Sequence, residues 1–273
     1  MERLKLTITE SNRQTRDGWA RYASHRAMVH ELITGRASDT AALCLLGPGN
    51  MNDVDARRLL AEFRRLHLVD LDMTTVRAAA RRQGVGPHPG LVMHDPTDLT
   101  GVLGLLDRSP TPDLADQVER VLAGHVTAVP GAPFDACVST CVLTQLLQSV
   151  VDSTVPRERV PGVSIALRDK HLRDLVALTG PGGSVILVTD VVSTTTAPGL
   201  LTVDPAAMES EMARLVAAGN FFTGTNPYRI VALFEEDPWL CARLTDVRLA
   251  GPWLWSVTND RQHLVVAVPA RRT

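Results

Sequence analysis

In "LCLLGPGNMNDVDARRLLAEFRRLHLVDLD" (43–72), one apolar run breaks at Gly47 and Gly49, and a second ends at Asp70 and Asp72. The glycines let the backbone pass close to a ligand, with the N–H groups of a helix start beyond them. Asp70 follows Gly47 by 23 positions; a carboxylate there suits the two hydroxyls of a ribose, and a surface acid is its competing reading. A dinucleotide fingerprint needs a third glycine where Asn52 stands, and a side chain there impedes tight helix–strand packing. Nicotinamide is therefore disfavoured. A second candidate is "GNFFTGTNPYRI" (219–230), where Phe221 and Phe222 lie close to Asn226 and Tyr228. Aromatic faces stabilise a cation by about 0.5–2 kcal/mol, and Asn and Tyr can orient a nucleophile. The alternative is core aromatics beside a turn.

The elements that must position these residues alternate. An amphipathic helix is expected over Asp17–Thr34, stopped by Gly35. Strands are expected at "AALCLLG", "LHLVDLD", "GLVMHD", "FDACVST" and "SVILVTDVVS". Between them lie helical patterns in "DVDARRLLAEFRRL", "TTVRAAARRQGV", "DLADQVERVLAG", "CVLTQLLQSVVDST" and "LRDKHLRDLVALTGPGG", the last with a glycine stop. Strands alternating with helices imply a doubly wound parallel sheet with its site at the strand C-termini. "DVRLAGPWLW" and "RQHLVVAVP" are separated only by "SVTND" and should pair antiparallel. The expectation is a Rossmann-like α/β fold. A mostly parallel seven-stranded sheet would be closed by a C-terminal hairpin, with a lid insertion between the fifth strand and that hairpin. One domain, 1–273, would divide into a helical cover (1–38), a core (39–192), the lid (193–244) and the closing strands (245–273).

These segments, in this order, resemble the class I S-adenosylmethionine-dependent methyltransferases over roughly residues 40–192 plus the hairpin. The resemblance implies that Gly47, Pro48, Gly49 and Asn50 lie under the methionine part of the cofactor. It implies that Asp70, ahead of Asp72, binds the ribose, and that Asp95 in "VMHDPTDL", followed by Asp98 and Leu99, meets the adenine. "FDACVSTCVLTQL" matches the family's fourth strand, with the backbone near Ser139 and Thr140 facing the cofactor's amino-acid part. "LTGPGGSVILVTD" is similar to the family's approach to strand 5. Helices before the first strand often cover the cofactor, and Tyr22 and Arg26 share a helical face. Arg26 is the candidate partner for the cofactor's carboxylate, with Arg16 second and a solvated arginine the competing reading. Two positions depart from the family pattern: Leu45 stands where many members have an acid for the cofactor's ammonium, and Met51 where a third glycine is common. Asn50 and Asp53 are nearby polar groups, and Asp53 reads equally well as a helix N-cap.

The implied activity is methyl transfer from S-adenosylmethionine to a small molecule, in bacterial secondary metabolism. Gln145, Asn226, Tyr228 and His171 are candidate acceptor contacts. Two alternatives stand beside it. In an azetidine-2-carboxylate synthase type of reaction the cofactor's own amino group displaces methylthioadenosine, a reading motivated by Leu45. The other is a non-catalytic cofactor-binding protein. A net charge near −2 gives no footprint for nucleic acid or an anionic membrane, and no apolar run is long enough to span a bilayer. The first residues lack a signal-peptide core, so the cytoplasm is the expected location. A homodimer is compatible with the sequence. Cys44, Cys137, Cys141 and Cys241 read as buried thiols, with no metal site expected. Lys5 and Lys170 are the only lysines, an arginine bias that fits a high-GC bacterial gene.

Overall fold

The computed structural model describes residues 2–35 and 41–273; the expected join at residues 38–39 lies outside the described residues. Its strands are β1 (Ala42–Leu46), β2 (Arg65–Val69), β3 (Leu91–Met93), β4 (Phe134–Thr140), β5 (Thr179–Ser193), β6 (Leu244–Thr245), β7 (Ala250–Ser256) and β8 (Gln262–Arg272). They form one sheet in the order β3-β2-β1-β4-β5-β8, with β6 and β7 both paired to β8. The pairings from β3 through to β5 are parallel, and those of β8 are antiparallel. Because β5 takes one edge of β8, β6 and β7 share the other. Asp246, at φ +54°, lies in the break between them. The seven expected sheet positions are thus filled, among the described residues, by eight strand segments.

Strand periodicity explains why both faces are covered. Leu43 and Leu45 of β1 join one apolar cluster, while Cys44 and Leu46 join the other. Side chains alternate across a strand, so an unbroken apolar run must be buried on both sides. The helices are α1 (Glu2–Thr15), α2 (Ala23–Thr34), α3 (Ala56–Glu62), α4 (Met73–Arg82), α5 (Leu103–Leu106), α6 (Leu114–Gly124), α7 (Leu143–Val151), α8 (Val160–Leu178), α9 (Met208–Ala217), α10 (Pro227–Glu236) and α11 (Pro238–Cys241). Val29 of α2, Leu59 of α3 and Val76 of α4 cover the Leu43 face; Val118 of α6, Leu147 of α7 and Leu167 of α8 cover the Cys44 face. A third cluster seats Met212 and Leu215 of α9 beneath the insertion, against Leu264 and Val266 of β8.

Several sequence expectations shift. The helix expected from Asp17 begins at Ala23, and α1 precedes it with little apolar burial of its own beyond Leu4. The glycine stop after α8 is instead the opening of β5, which starts at Thr179. Asp55, not Asp53, caps α3, accepting from the Arg57 and Arg58 N–H groups at 3.1 and 3.2 Å. Cys44, Cys137 and Cys141 are buried free thiols, whereas Cys241 is exposed. Among the described residues no helix is long and apolar enough to cross a membrane.

Candidate functional site

At the C-terminal edge of the sheet, the turn after β1 is held closed by local bonds. The Gly47 N–H donates to the Val69 carbonyl at 2.8 Å, and the Met51 N–H to the Pro48 carbonyl at 2.7 Å. Gly47 and Gly49 have φ of +67° and +48°, and a Cβ on Gly47 would sit 2.4 Å from the Val142 side chain. Met51 also adopts positive φ, +54°. The backbone therefore keeps a conformation suited to glycine at the position where the resembling family often has one, at a cost of about 1–2 kcal/mol for a side chain.

Two adjoining spaces lie beside this turn. The larger has a volume of 590 Å³ and is lined by the glycine turn, the ends of β4, β5 and β8, and α1. The smaller, of 50 Å³, is lined by Asp70, Asp98, Leu99 and Thr100. Gly47, Gly49, Asn12 and Gln145 line both. Asp70 is buried; its carboxylate accepts from the Gly49 N–H at 2.9 Å and the Asp72 N–H at 2.8 Å. Burial pushes its pKa up, against those hydrogen bonds. Asp72 instead caps α4, accepting from Thr75 and from the Asn12 side chain at 3.2 Å.

Of the sequence candidates, Tyr22, Gly47, Pro48, Gly49, Asn50, Thr140, Gln145, Phe221 and Phe222 line the larger space. Others do not meet there. Asp95 is exposed and lines neither space, and Asp98, three residues on, takes the place beside Asp70. Ser139 is turned beneath the sheet, where its hydroxyl lies 2.9 Å from His171 Nε2. His171 is itself buried there, and burial lowers its pKa to about 4. Arg26 packs its guanidinium 3.6 Å from the Trp19 ring centroid and donates to the Trp19 and Asn52 carbonyls. Arg16 borders a separate outer groove with Arg82. Asn226 caps α10 through the Tyr228 and Arg229 N–H groups, and Tyr228 is exposed. Neither residue lines the two spaces, and the cap engages the Asn226 amide oxygen with its own helix. The arginine lining the larger space is Arg261.

Residues missed in sequence complete the site. α1 closes one side, tied down by polar bonds: Asn50 Nδ2 donates to the Asn12 carbonyl and to Thr15 Oγ1, and Asn52 Nδ2 to the Thr15 carbonyl at 2.7 Å. The apolar residues Leu4, Leu6 and Ile8 of α1 recur every second position, which is not a helical period. On the opposite side His263 Nδ1 lies 2.9 Å from Asp190 Oδ2, and the Thr144 hydroxyl donates to the other Asp190 oxygen. The register shift between Asp190 and Val192 resets strand parity. It brings Asp190 and Ser193, three residues apart, to one face with His263, and all three line the space.

Asp53 is the least satisfied acid in the cavity. No hydrogen bond to its carboxylate occurs among the described residues, and His25 Nε2 stands 3.9 Å away. The donor-only indole of Trp253 bonds His25 Nδ1 at 3.0 Å, so the neutral ring carries its proton on Nε2. Burial raises the Asp53 pKa to about 7 and lowers that of His25 to about 3. A carboxyl with a raised folded pKa is penalised once ionised, so its cost is full above pH 7 and shrinks as the folded group protonates. Unliganded Asp53→Asn protein should therefore be more stable than wild type at pH 8. In denaturant titrations that advantage should fall by about 3 kcal/mol on going to pH 5; an advantage independent of pH would refute it.

No protein-family model matches the chain, and no curated protein matches its sequence. Among solved structures it is similar to the N-methyltransferase NodS from Bradyrhizobium japonicum WM9 in complex with S-adenosyl-L-homocysteine. The identity is 13%, over 97% of this chain and 98% of that one, with a TM-score of 0.50. A SAM-dependent methyltransferase from Aquifex aeolicus is 9% identical over 97% of this chain and 98% of that one, with a TM-score of 0.47. At these identities the likeness is one of fold.

Proposed function

We propose that this chain, which shares the fold of an S-adenosylmethionine-dependent methyltransferase, binds S-adenosylmethionine and transfers its methyl group to a small molecule. The observation that carries the reading is that the two spaces adjoin, with Gly47, Gly49 and Gln145 in the wall of both. A ribose at Asp70 leads past the glycine turn directly into the larger space. Asp98 and Leu99 border the adenine end. The larger space, at 590 Å³, falls within the range of complete small-molecule sites, about 300–1,000 Å³. It has room for an acceptor beside the methionine end. The bound sulfonium supplies an activated methyl carbon, so the chain's own work is to align the acceptor and exclude water.

Leu45 is fully buried in the apolar cluster that contains Tyr22 and Met51, so no acid at that position reaches the cofactor's ammonium. We infer that Asp53 takes that role, and its lack of a hydrogen-bonding partner supports the assignment. Calorimetry with S-adenosylhomocysteine tests both statements. Binding is expected, and near pH 6.5 it should release a proton as Asp53 ionises, making the enthalpy buffer-dependent in wild type but not in Asp53→Asn. No binding at all would remove the proposed function.

The cyclising reaction remains the second reading because of Leu45. Incubation with S-adenosylmethionine alone separates the two: methylthioadenosine formed without an acceptor favours cyclisation, and its absence with S-adenosylhomocysteine binding intact favours transfer. Turnover of either kind excludes a purely binding role.

A further inference from the structure

The larger space holds an acid–base pair that cofactor binding alone does not explain. Both Asp190 oxygens are engaged, one by the Thr144 hydroxyl and one by His263 Nδ1. A carboxylate only accepts, so Nδ1 carries the proton and Nε2 of the neutral ring keeps its lone pair. Nε2 has no hydrogen-bond partner among the described residues, and the side chain keeps 12% of its surface open. A molecule in the space can therefore reach it. An imidazole oriented through Nδ1 by a buried carboxylate is built to accept a proton at Nε2.

What gives up that proton follows from the walls. Of the described residues, three acids line the space, and each is already engaged. Asp190 has both oxygens bonded, and Asp152 accepts from Gln148 Nε2 at 2.8 Å. Asp53, whose pKa burial raises to about 7, is the group assigned above to the cofactor's ammonium. No carboxylate remains to hold a cationic acceptor. A neutral amine needs no base before it attacks, because its proton can leave afterwards. A hydroxyl does need one: methylating a protonated oxygen makes an oxonium, so the proton must leave as the bond to carbon forms. The rings beside His263 are aromatic: Phe222 lies 5.5 Å away, and Trp255 meets it edge-on at 5.7 Å. A planar aromatic acceptor packs against such faces. A phenolic hydroxyl, with a pKa of about 10 like that of tyrosine, is matched to an imidazole base far better than an alkanol is.

We propose that the methyl acceptor is a phenolic hydroxyl, and that His263, held by Asp190, is the base that takes its proton. The proposal rests on the methyltransferase reading. The O–H bond breaks toward His263 Nε2 while an oxygen lone pair forms the bond to the methyl carbon. The carbon–sulfur bond breaks at the same time, its electron pair staying on sulfur. The products are S-adenosylhomocysteine, the aryl methyl ether and a protonated His263, which releases its proton to solvent. Asp190 and Thr144 are positioning residues. The charged and titratable groups around His263 are Asp190 on β5, Asp53 after β1, Cys141 after β4, His25 on α2, Asp152 at the end of α7 and Arg261 in the β7–β8 turn.

The test begins with 4-nitrophenol, whose ionised form is yellow, and protein saturated with S-adenosylhomocysteine at pH 6, where the free phenol is mostly protonated. Binding is expected, with a phenolate-to-phenol ratio at least tenfold above that in buffer, because Nε2 takes the proton. His263→Gln should bind the phenol without that gain. Failure of 4-nitrophenol to bind while S-adenosylhomocysteine still binds overturns the acceptor class and leaves the cofactor reading standing. Binding of neither removes the cofactor reading itself. Binding with no gain in phenolate, or a gain that survives in His263→Gln, overturns the role of His263. The second measurement is methylation of 2-naphthol and 4-nitrophenol at pH 8. 2-Naphthol stays protonated there, and with it His263→Gln should lose about 10²–10³ in kcat. 4-Nitrophenol is already ionised, so its deficit should fall below tenfold, with the KM for S-adenosylmethionine unchanged. Equal deficits for the two phenols, or methylation of neither by wild type, overturn the proposal. His263→Asn serves where the glutamine variant does not bind S-adenosylhomocysteine.

Discussion

Asp70→Ala is expected to weaken S-adenosylhomocysteine binding by at least 10²-fold in calorimetry. The carboxylate stands at the end of β2, buried, in the wall of the smaller space. Hydrogen bonds to a charged group contribute roughly 1.5–3 kcal/mol each, and a ribose brings two hydroxyls, so the loss spans about 3–6 kcal/mol. Asp70 also receives the Gly49 N–H at 2.9 Å, so its removal loosens the glycine turn that the methionine end must pass. Asp70→Asn should fall short of wild type as well. Its amide nitrogen would face either the Gly49 or the Asp72 N–H, donor against donor. Near-wild-type affinity in both variants, with unchanged melting temperature, would sink the assignment of Asp70 to the ribose.

The second large effect is on stability. Lys170 and Asp174, one turn apart on α8, form a buried ion pair. Lys170 Nζ also donates to Thr127 Oγ1 at 2.9 Å and to the Leu99 carbonyl at 3.0 Å. Asp174 accepts from the Thr127 N–H at 3.1 Å and the Thr127 hydroxyl at 2.6 Å. Removing one partner strands the other charge in a low-dielectric interior, which costs about 3–5 kcal/mol. Asp174→Ala should therefore lower the melting temperature by about 6–20 °C at 2–4 °C per kcal/mol. The double variant Lys170→Met/Asp174→Leu buries no charge and should melt above Asp174→Ala. Because Leu99 lines the smaller space, Lys170→Met should also reduce S-adenosylhomocysteine affinity. A double variant no more stable than Asp174→Ala would show that the stranded charge is not the main cost.

Much of the cofactor end was legible in sequence because each of its signals is local. The apolar run of β1, the glycines after it and the acid ending β2 lie within one stretch of chain, and strand period and turn chemistry act between neighbours. Where a local signal had two readings, the sequence left the choice open. Asp95 and Asp98 both follow β3, and only the path of the loop turns Asp98 to the cavity and Asp95 to solvent. Asn226 and Tyr228 looked chemical because of their types, yet a helix start used one as a cap and exposed the other.

The sequence by itself therefore determined the order of elements, the parallel core with its antiparallel close, the glycine turn and Asp70. Tertiary structure alone decided the far side of the larger space. Asp190 and His263 are 73 residues apart and meet only because β8 lies antiparallel against β5 in one register, with an extra residue at position 191 to set the parity. Likewise α1 acquires its place from Leu4 in the core and from the asparagines and threonine that tie it to the glycine turn. Periodicity encodes which face of an element is buried; it does not encode which distant element is laid against it.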